Sequence, residues 1–266
     1  MAENDVIHPA ESTAVADVAP AATPAYRVGA IIQARVRSTR LPGKALLPLP
    51  LGGSVTLFEQ VLARARRATL VDEVVVALPD TEADLPLLHL TQRAGIRTVC
   101  GSEADVLSRF HTAAATFGYE TIVRLTADNP ALDPSFIDDA VRAHLAAAAD
   151  YTITTGLPLG MNIEVISRTA LFRAHYEATA PPDREHVTPY LRQRPEQFRL
   201  QTVPLAIATP TAAHLRLTVD YPTDYALLHL LYSALGANFG LDDVLALMQK
   251  HPWLATLNAH NEQIRL

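Results

Sequence analysis

The stretch that decides the fold is "VGAIIQARVRSTRLPGKAL", residues 28–46. Val28–Gln33 is a compact apolar run without polar alternation, the pattern of a short strand buried on both faces. Four cations, Arg35, Arg37, Arg40 and Lys44, follow it directly, with Ser38 and Thr39 adding hydroxyl and backbone donors. Pro42 stiffens the segment and Gly43 permits a turn or a close ligand approach. Cations and backbone N–H groups gathered just past a strand end suit a polyphosphate. They suit a solvated charged loop equally well, and composition does not separate the two. The loop carries neither the Gly-x4-Gly-Lys-Ser/Thr spacing nor a Gly-x-Gly-x-x-Gly fingerprint.

Outward from this stretch, β-rich runs alternate with helical periodicity. Helices are expected at Leu57–Ala68, Ala83–Ala94, Glu103–Phe117 and Pro134–Ala148, the last with Asp133 as N-cap. Strands are expected at Glu73–Leu78, Arg97–Cys100 and Thr121–Leu125. The alternation implies an α/β fold: a Rossmann-like, mostly parallel sheet with helices on both faces. Ligands then bind beyond the carboxyl ends of the strands, at the switch point of strand order. The second half is less regular. Extended runs are expected at Tyr151–Thr155, Ile163–Ile166, Phe198–Val203 and Leu215–Val219. Helices are expected at Arg168–Ala178, at Glu185–Arg192 with a break near Pro189, at Thr223–Leu235 with Thr223 as cap, and at Leu241–Lys250.

The chain has 266 residues, 49% of them hydrophobic, enough for one large core. A net charge of −6 argues against bulk nucleic-acid binding. The single cysteine, Cys100, excludes an internal disulfide and a multi-cysteine metal site, and reads as a small buried residue. No apolar run reaches the roughly 18 residues of a membrane span. Residues 1–26 are rich in Ala, Pro and Thr, carry acids and show no period, so a flexible tail is expected there. They lack the features of a secretory signal, and a cytoplasmic location is the expectation. Residues 27–250 read as one domain, and 251–266 as a C-terminal extension.

Asp128 in "LTADNP" and Asp220 in "LTVDYPTD" each end an apolar segment. Two carboxylates converging from different strand ends make an oxygen site for Mg²⁺. Each also suits the role of a cap for a following helix. Asp224 falls in the first turn of the last long helix, where a carboxylate suits the dipole. In "GSEAD", Ser102 and Asp105 read as a helix cap and its N3 partner. No Asp-x-Asp motif and no Ser-His-Asp pattern is present.

The 31–46 segment "IIQARVRSTRLPGKAL" resembles the signature of the spore coat polysaccharide biosynthesis protein F family. These are cytidylyltransferase-like proteins, related to the sialic acid and Kdo cytidylyltransferases. The resemblance continues in order through "DEVVVAL" (72–78), "GSEADVLSRF" (101–110), "IVRLTADNP" (122–130), "GMNIEVIS" (160–167), "REHVTPY" (184–190) and "LRLTVDYPTDY" (215–225), covering about residues 28–235. It implies a nucleotide-diphospho-sugar transferase type of fold. The implied reaction is Mg²⁺-dependent transfer of CMP from CTP to an acidic sugar or similar small acceptor, with release of pyrophosphate. Ala34, Arg35, Ser38, Arg40 and Lys44 are then the triphosphate side, and Asp128 and Asp220 the metal ligands. Arg35, Lys44, Asp128 and Asp220 carry the catalytic roles.

The loops at Ala77–Asp80 and Gly101–Asp105 are expected to surround the base, with Ala77, Gly101, Ser102 and Asp105 as contacts. Asn162, Glu164, Arg184 and His186 are the acceptor-side residues. Glu164 suits a metal or an acceptor hydroxyl, Arg184 an acceptor carboxylate or phosphate, and His186 a base or a structural hydrogen bond. Two positions depart from the family: Arg37 replaces a small residue, and Asn162 stands where many relatives have an acid. By the same resemblance, residues 151–214 serve acceptor binding and a homodimer is expected. The rival readings are a glycosyltransferase of related fold, which usually carries Asp-x-Asp, and a non-catalytic nucleotide-binding protein.

Overall fold

The computed structural model describes residues 6–7, 27–205 and 213–263. Within them the apolar run Val28–Gln33 lies mid-sheet. Eight strands form one sheet: β1 (Val6–Ile7), β2 (Val28–Gln33), β3 (Glu73–Pro79), β4 (Thr98–Gly101), β5 (Thr121–Thr126), β6 (Tyr151–Thr155), β7 (Glu164–Ser167) and β8 (Leu200–Pro204). Their order is β1-β4-β3-β2-β5-β7-β6-β8, and β7 alone runs against the rest. The tail expected over residues 1–26 lies outside the described residues, except that Val6–Ile7 pairs with β4 at the sheet edge.

Because β2 is flanked by β3 on one side and β5 on the other, strand order turns there in both directions. That is the switch point at which an open α/β sheet leaves a crevice. Both faces of the central strands are covered, which explains the unbroken apolar run. Ala30 and Ile32 enter one core and Ile31 the other; Val74, Val76 and Leu78 of β3 split from Val75 and Ala77 in the same way. The first core is roofed by α1 (Leu57–Ala65), α4 (Pro134–Ala147), α8 (Pro222–Leu235) and α9 (Leu241–Lys250), with α2 (Leu85–Arg93) at its edge. The second lies under α3 (Val106–Phe117), α5 (Arg168–Glu177) and α7 (Pro189–Arg192), with α6 (Pro181–His186) packed against α3.

Several local expectations are corrected. Asp105, not Ser102, caps α3: its carboxylate accepts from Ser108 N at 2.9 Å, so the helix starts three residues later than "GSEAD" implied. Thr223 does not cap α8. The Asp224 carboxylate takes the N–H groups of Asp220 and Tyr221, each at 2.9 Å, because an acceptor in the first turn can fold back on the exposed donors. The helix expected at Glu185–Arg192 is two short ones, broken at Val187 (φ 70°), with Pro189 opening the second. Leu215–Val219 is not a strand. It is held by two loops, through Leu159 N to Leu215 O, Leu217 N to Leu159 O and Val219 N to Asp128 O. Asp133 caps α4 as expected, accepting from Ser135 N.

Residues 251–263 do not stand apart as an extension. Asn258 donates to Arg216 O and to Asp224 Oδ1, and Asn261 donates to Asp224 Oδ1.

Arg64 on α1 is fully buried and forms no ion pair among the described residues. Its guanidinium donates to Leu132 O (2.6 Å), Ala237 O (2.8 Å) and Phe239 O (2.7 Å), tying α1 to the ends of two other segments. Arg64→Met keeps the volume but removes the donor from three carbonyls, those of Leu132 and Phe239 in buried bonds. We expect a loss of about 3 kcal/mol, read as a lower urea midpoint at unchanged m-value.

His144 near the end of α4 is buried against Thr152, and burial pushes it down to about 4, with Asp150 opposing. The folded value lies below the unfolded one, so between them the unfolded chain binds the extra proton. The contribution is therefore complete above about pH 6.5 and drains away toward pH 4, a loss of about 3 kcal/mol. Urea midpoints at pH 7 and pH 4 measure it; in His144→Gln the difference shrinks.

Candidate active site

The chain leaves β2 with Ala34 N donating to Ala77 O at 3.2 Å and Val36 N to Asp84 Oδ1 at 2.7 Å, which keeps the start of the basic loop over the sheet edge. Ser38 Oγ accepts from Leu41 N, rounding the loop. A 3-10 turn at Lys44–Leu46 then points Lys44 back toward the ends of β5 and the 215–220 segment. A cleft of about 200 Å³ opens here, at the carboxyl ends of β2 and β5. A larger cleft of about 400 Å³ lies at the amino-terminal end of β5 and β6, but its arginines are already paired, Arg168 with Glu120 and Arg199 with Asp150.

Lys44 is the centre of the first cleft. Its Nζ lies 3.0 Å from Asp128 Oδ2, 3.0 Å from Asp220 Oδ1 and 2.7 Å from Val219 O. Burial works against its charge, yet the two carboxylates outweigh burial and raise its pKa. Asp128 responds in the opposite sense: burial would raise it, but Lys44 and the Thr126 hydroxyl hold it below the usual carboxylate range. Asp220 is gripped on both oxygens, by Arg40 Nη2 at 2.7 Å and Lys44 on Oδ1, and by Arg216 Nη2 at 2.6 Å on Oδ2. Arg216 also holds Asp224 at 2.9 Å. Arg35 and Arg37 turn to the acidic rim instead, Arg35 toward Glu185 (3.8 Å) and Arg37 toward Glu103 (3.4 Å). Arg37 is two-thirds exposed, in keeping with a side chain directed to solvent.

Of the residues singled out in the sequence, Ala34, Arg35, Arg37, Ser38, Thr39, Arg40, Lys44, Asp128, His186 and Asp220 line this cleft together. The other seven do not. Ala77 is fully buried in β3, its carbonyl already shared by Ala34 N and Arg109 Nη1. Gly101 packs under Arg109, where an added Cβ would meet Arg109 Cγ at 3.1 Å. Ser102 is exposed beside it. Asp105 and Arg184 find each other, at 2.5 Å, and Arg184 also donates to His175 O, which turns its guanidinium away from the cleft. Asn162 and Glu164 line a separate cavity of about 40 Å³, joined to the cleft wall at Thr126. Glu164 is held by Arg124, Tyr151 and Thr188, and despite burial its pKa is lowered, chiefly by Arg124.

Sequence reasoning passed over Arg109, Arg124 and Arg216. Arg109 lines the cleft and is 4% exposed; burial lowers its pKa to about 10, and its Nε has no hydrogen-bond partner among the described residues. Arg124 Nε and Asn162 Oδ1 are likewise buried without partners beside the smaller cavity. Arg216 lies in the quoted "LRLTVDYPTDY", four residues before Asp220, and that spacing was its available signal. His186 is lowered by burial, with Arg124 and Arg35 adding to it against Glu185, so it is neutral at pH 7.

Among the described residues, no three acidic, histidine or cysteine side chains converge as a metal site. The donor set that does exist is Asp128 and Asp220, two hard carboxylates sharing one cation in a cleft walled by arginines. It fits magnesium, which takes one or two carboxylates and completes its shell with water and phosphate oxygens.

A cytidylyltransferase family profile matches residues 29–259. The spore coat polysaccharide biosynthesis protein SpsF of Bacillus subtilis is 35% identical over 233 residues, 85% of this chain and 95% of that one. The 3-deoxy-manno-octulosonate cytidylyltransferase of Geobacter sulfurreducens is 33% identical over 114 residues, 43% of this chain and 44% of that one. Among solved structures, a cytidylyltransferase from Leptospira borgpetersenii serovar Hardjo-bovis superposes with a TM-score of 0.80 at 29% identity, covering 91% of this chain and 100% of that one.

Proposed function

The chain belongs to the cytidylyltransferase family, and from that premise we propose that it transfers CMP from CTP to a hydroxyl of a small acidic sugar, with magnesium at Asp128 and Asp220. The observation that carries this reading is the meeting of both carboxylates on Lys44 at the switch point of the sheet. Arg35 and Arg40 line the same cleft, as a triphosphate site requires. The sugar acid is suggested by the Geobacter relative, which is named for 3-deoxy-manno-octulosonate.

In the reaction an acceptor oxygen attacks the α-phosphorus, the bond to the β-phosphate oxygen breaks, and pyrophosphate leaves. Such transfers depend on positioning and charge neutralisation rather than covalent catalysis. Lys44, Arg35 and Arg40 offset charge on the departing pyrophosphate. Neutral His186, on the same wall, is the candidate to take the acceptor's proton. Magnesium, when bound, screens the phosphate oxygens from one another and from the attacking oxygen.

Pyrophosphate release tests the proposal, using Mg²⁺, each of the four nucleoside triphosphates and a panel of sugar acids. Release with CTP and one sugar acid is the expected result. No release with CTP across the panel, or consumption of a sugar nucleotide without pyrophosphate, overturns it.

A further inference from the structure

An ammonium group has three N–H donors. On Lys44 all three are engaged: Asp128 Oδ2, Asp220 Oδ1 and the Val219 carbonyl lie within 3.0 Å. The side chain is 14% exposed, so water does not compete strongly for those bonds. In this state Lys44 has no donor left for a phosphate. It also bridges one oxygen of each carboxylate.

A magnesium ion held by these carboxylates needs its oxygens at about 2.0–2.1 Å. The ammonium already fills that position, so the ion and the Lys44 head group exclude each other. The carboxylates keep other partners if Lys44 leaves. Asp220 retains Arg40 and Arg216, and Asp128 retains Thr126. Arg35, Ser38 and Thr39 line the cleft beside Lys44, where incoming phosphates would supply its ammonium with new acceptors.

We infer that Lys44 is a resident counter-cation: it holds Asp128 and Asp220 together in the nucleotide-free protein and yields them to the divalent ion only when a triphosphate draws its ammonium away. The inference rests on the reading of Asp128 and Asp220 as metal ligands. Its consequence is that metal and nucleotide bind cooperatively, each raising the affinity for the other by the same factor.

Mn²⁺ is the probe, with bound and free ion separated by its paramagnetic resonance signal and no nucleotide present. The wild-type chain should bind it weakly. Lys44→Met should bind it about 10-fold more tightly, and adding Asp128→Asn to that variant should abolish the gain. Lys44→Gln repeats the test should the methionine variant fold poorly. The unmutated chain supplies an independent measurement, because it contains two lysines, Lys44 and Lys250. With ¹⁵N-lysine, the Lys44 ammonium resonance should stay in place with Mg²⁺ alone and move when Mg²⁺ and CTP are added together.

Affinity for Mn²⁺ in both Lys44 variants no tighter than wild type overturns the inference. So does displacement of the Lys44 resonance by Mg²⁺ alone at the same concentration. Failure of the underlying metal reading is distinguishable: Asp128→Asn would then leave the magnesium dependence of pyrophosphate release unchanged. If only the exchange fails, that dependence is still lost in Asp128→Asn while Lys44→Met binds Mn²⁺ no better than wild type.

Discussion

On the proposed reading of Asp128 as a magnesium ligand, Asp128→Asn should lower the rate of CTP-dependent pyrophosphate release by about 10³-fold, the several kcal/mol expected for loss of such a carboxylate. Its cost to folding should be small. The Asp128 side chain is 30% exposed, and an asparagine oxygen can still accept from Lys44. Asp220→Asn should be as damaging to turnover and far more damaging to the fold. Asp220 is 8% exposed and holds Arg216, itself 6% exposed, together with Arg40 and Lys44. Breaking a buried pair of this kind costs about 3–5 kcal/mol, because the partner cation stays buried without compensation. Steady-state kinetics and urea denaturation on both variants separate the two effects.

Acid should treat the variants differently as well. Lys44 holds the Asp128 carboxyl below its unfolded value. Its contribution to stability is therefore present above about pH 4 and lost as pH falls through the lowered folded value. Asp128→Asn should lack that part of the acid limb.

Gly160→Ala is expected to have the second large effect, although Gly160 is not among the residues lining the Lys44 cleft. Its φ is +97°, a region that side-chain-bearing residues rarely adopt. A Cβ built there would lie 2.7 Å from Thr218 N and 2.9 Å from Leu217 C, both backbone atoms that cannot rotate aside. Strain alone costs about 1–3 kcal/mol. The displaced segment also carries Asp220, and a shift of about 1 Å at a reacting group can cost roughly 10²-fold in rate. Gly95→Ala is the control. Gly95 also has a positive φ, +64°, but nothing lies within 4 Å of the added Cβ. That variant should lose about 1 kcal/mol and keep full activity. Equal loss of activity in both variants would remove the argument that Gly160 positions Asp220.

The cytidylyltransferase resemblance was legible because its blocks sit where local rules operate. The run at Val28–Gln33 announced a strand covered on both faces, and the alternation after it announced the parallel sheet. Cations just past that strand, and aspartates ending two apolar segments, were readable as one cluster of charges because each lies at an element's end, and they do meet in one cleft. Capping was less legible. Ser102 and Asp105 are both good caps, and Thr223 and Asp224 compete for one helix start; the preferences differ by less than a single hydrogen bond. Tertiary contacts chose Asp105, held from outside by Arg184, and Asp224, held by Arg216, Asn258 and Asn261.

The sequence by itself determined the strand–helix order of residues 28–147, the basic loop and the pair Asp128 and Asp220. Those features depend on periodicity and on residue type at element ends, which are one-dimensional. Only the tertiary structure decided how the charges pair. It gave Lys44 and Arg40 to the carboxylates, Arg35 and Arg37 to the acidic rim, Arg184 to Asp105 and Arg124 to Glu164. The chain holds 22 lysines and arginines against 28 acids. The physical reason is that a charge's partner is set by distance and burial in the folded state, and those interactions act through space, without regard to separation along the chain.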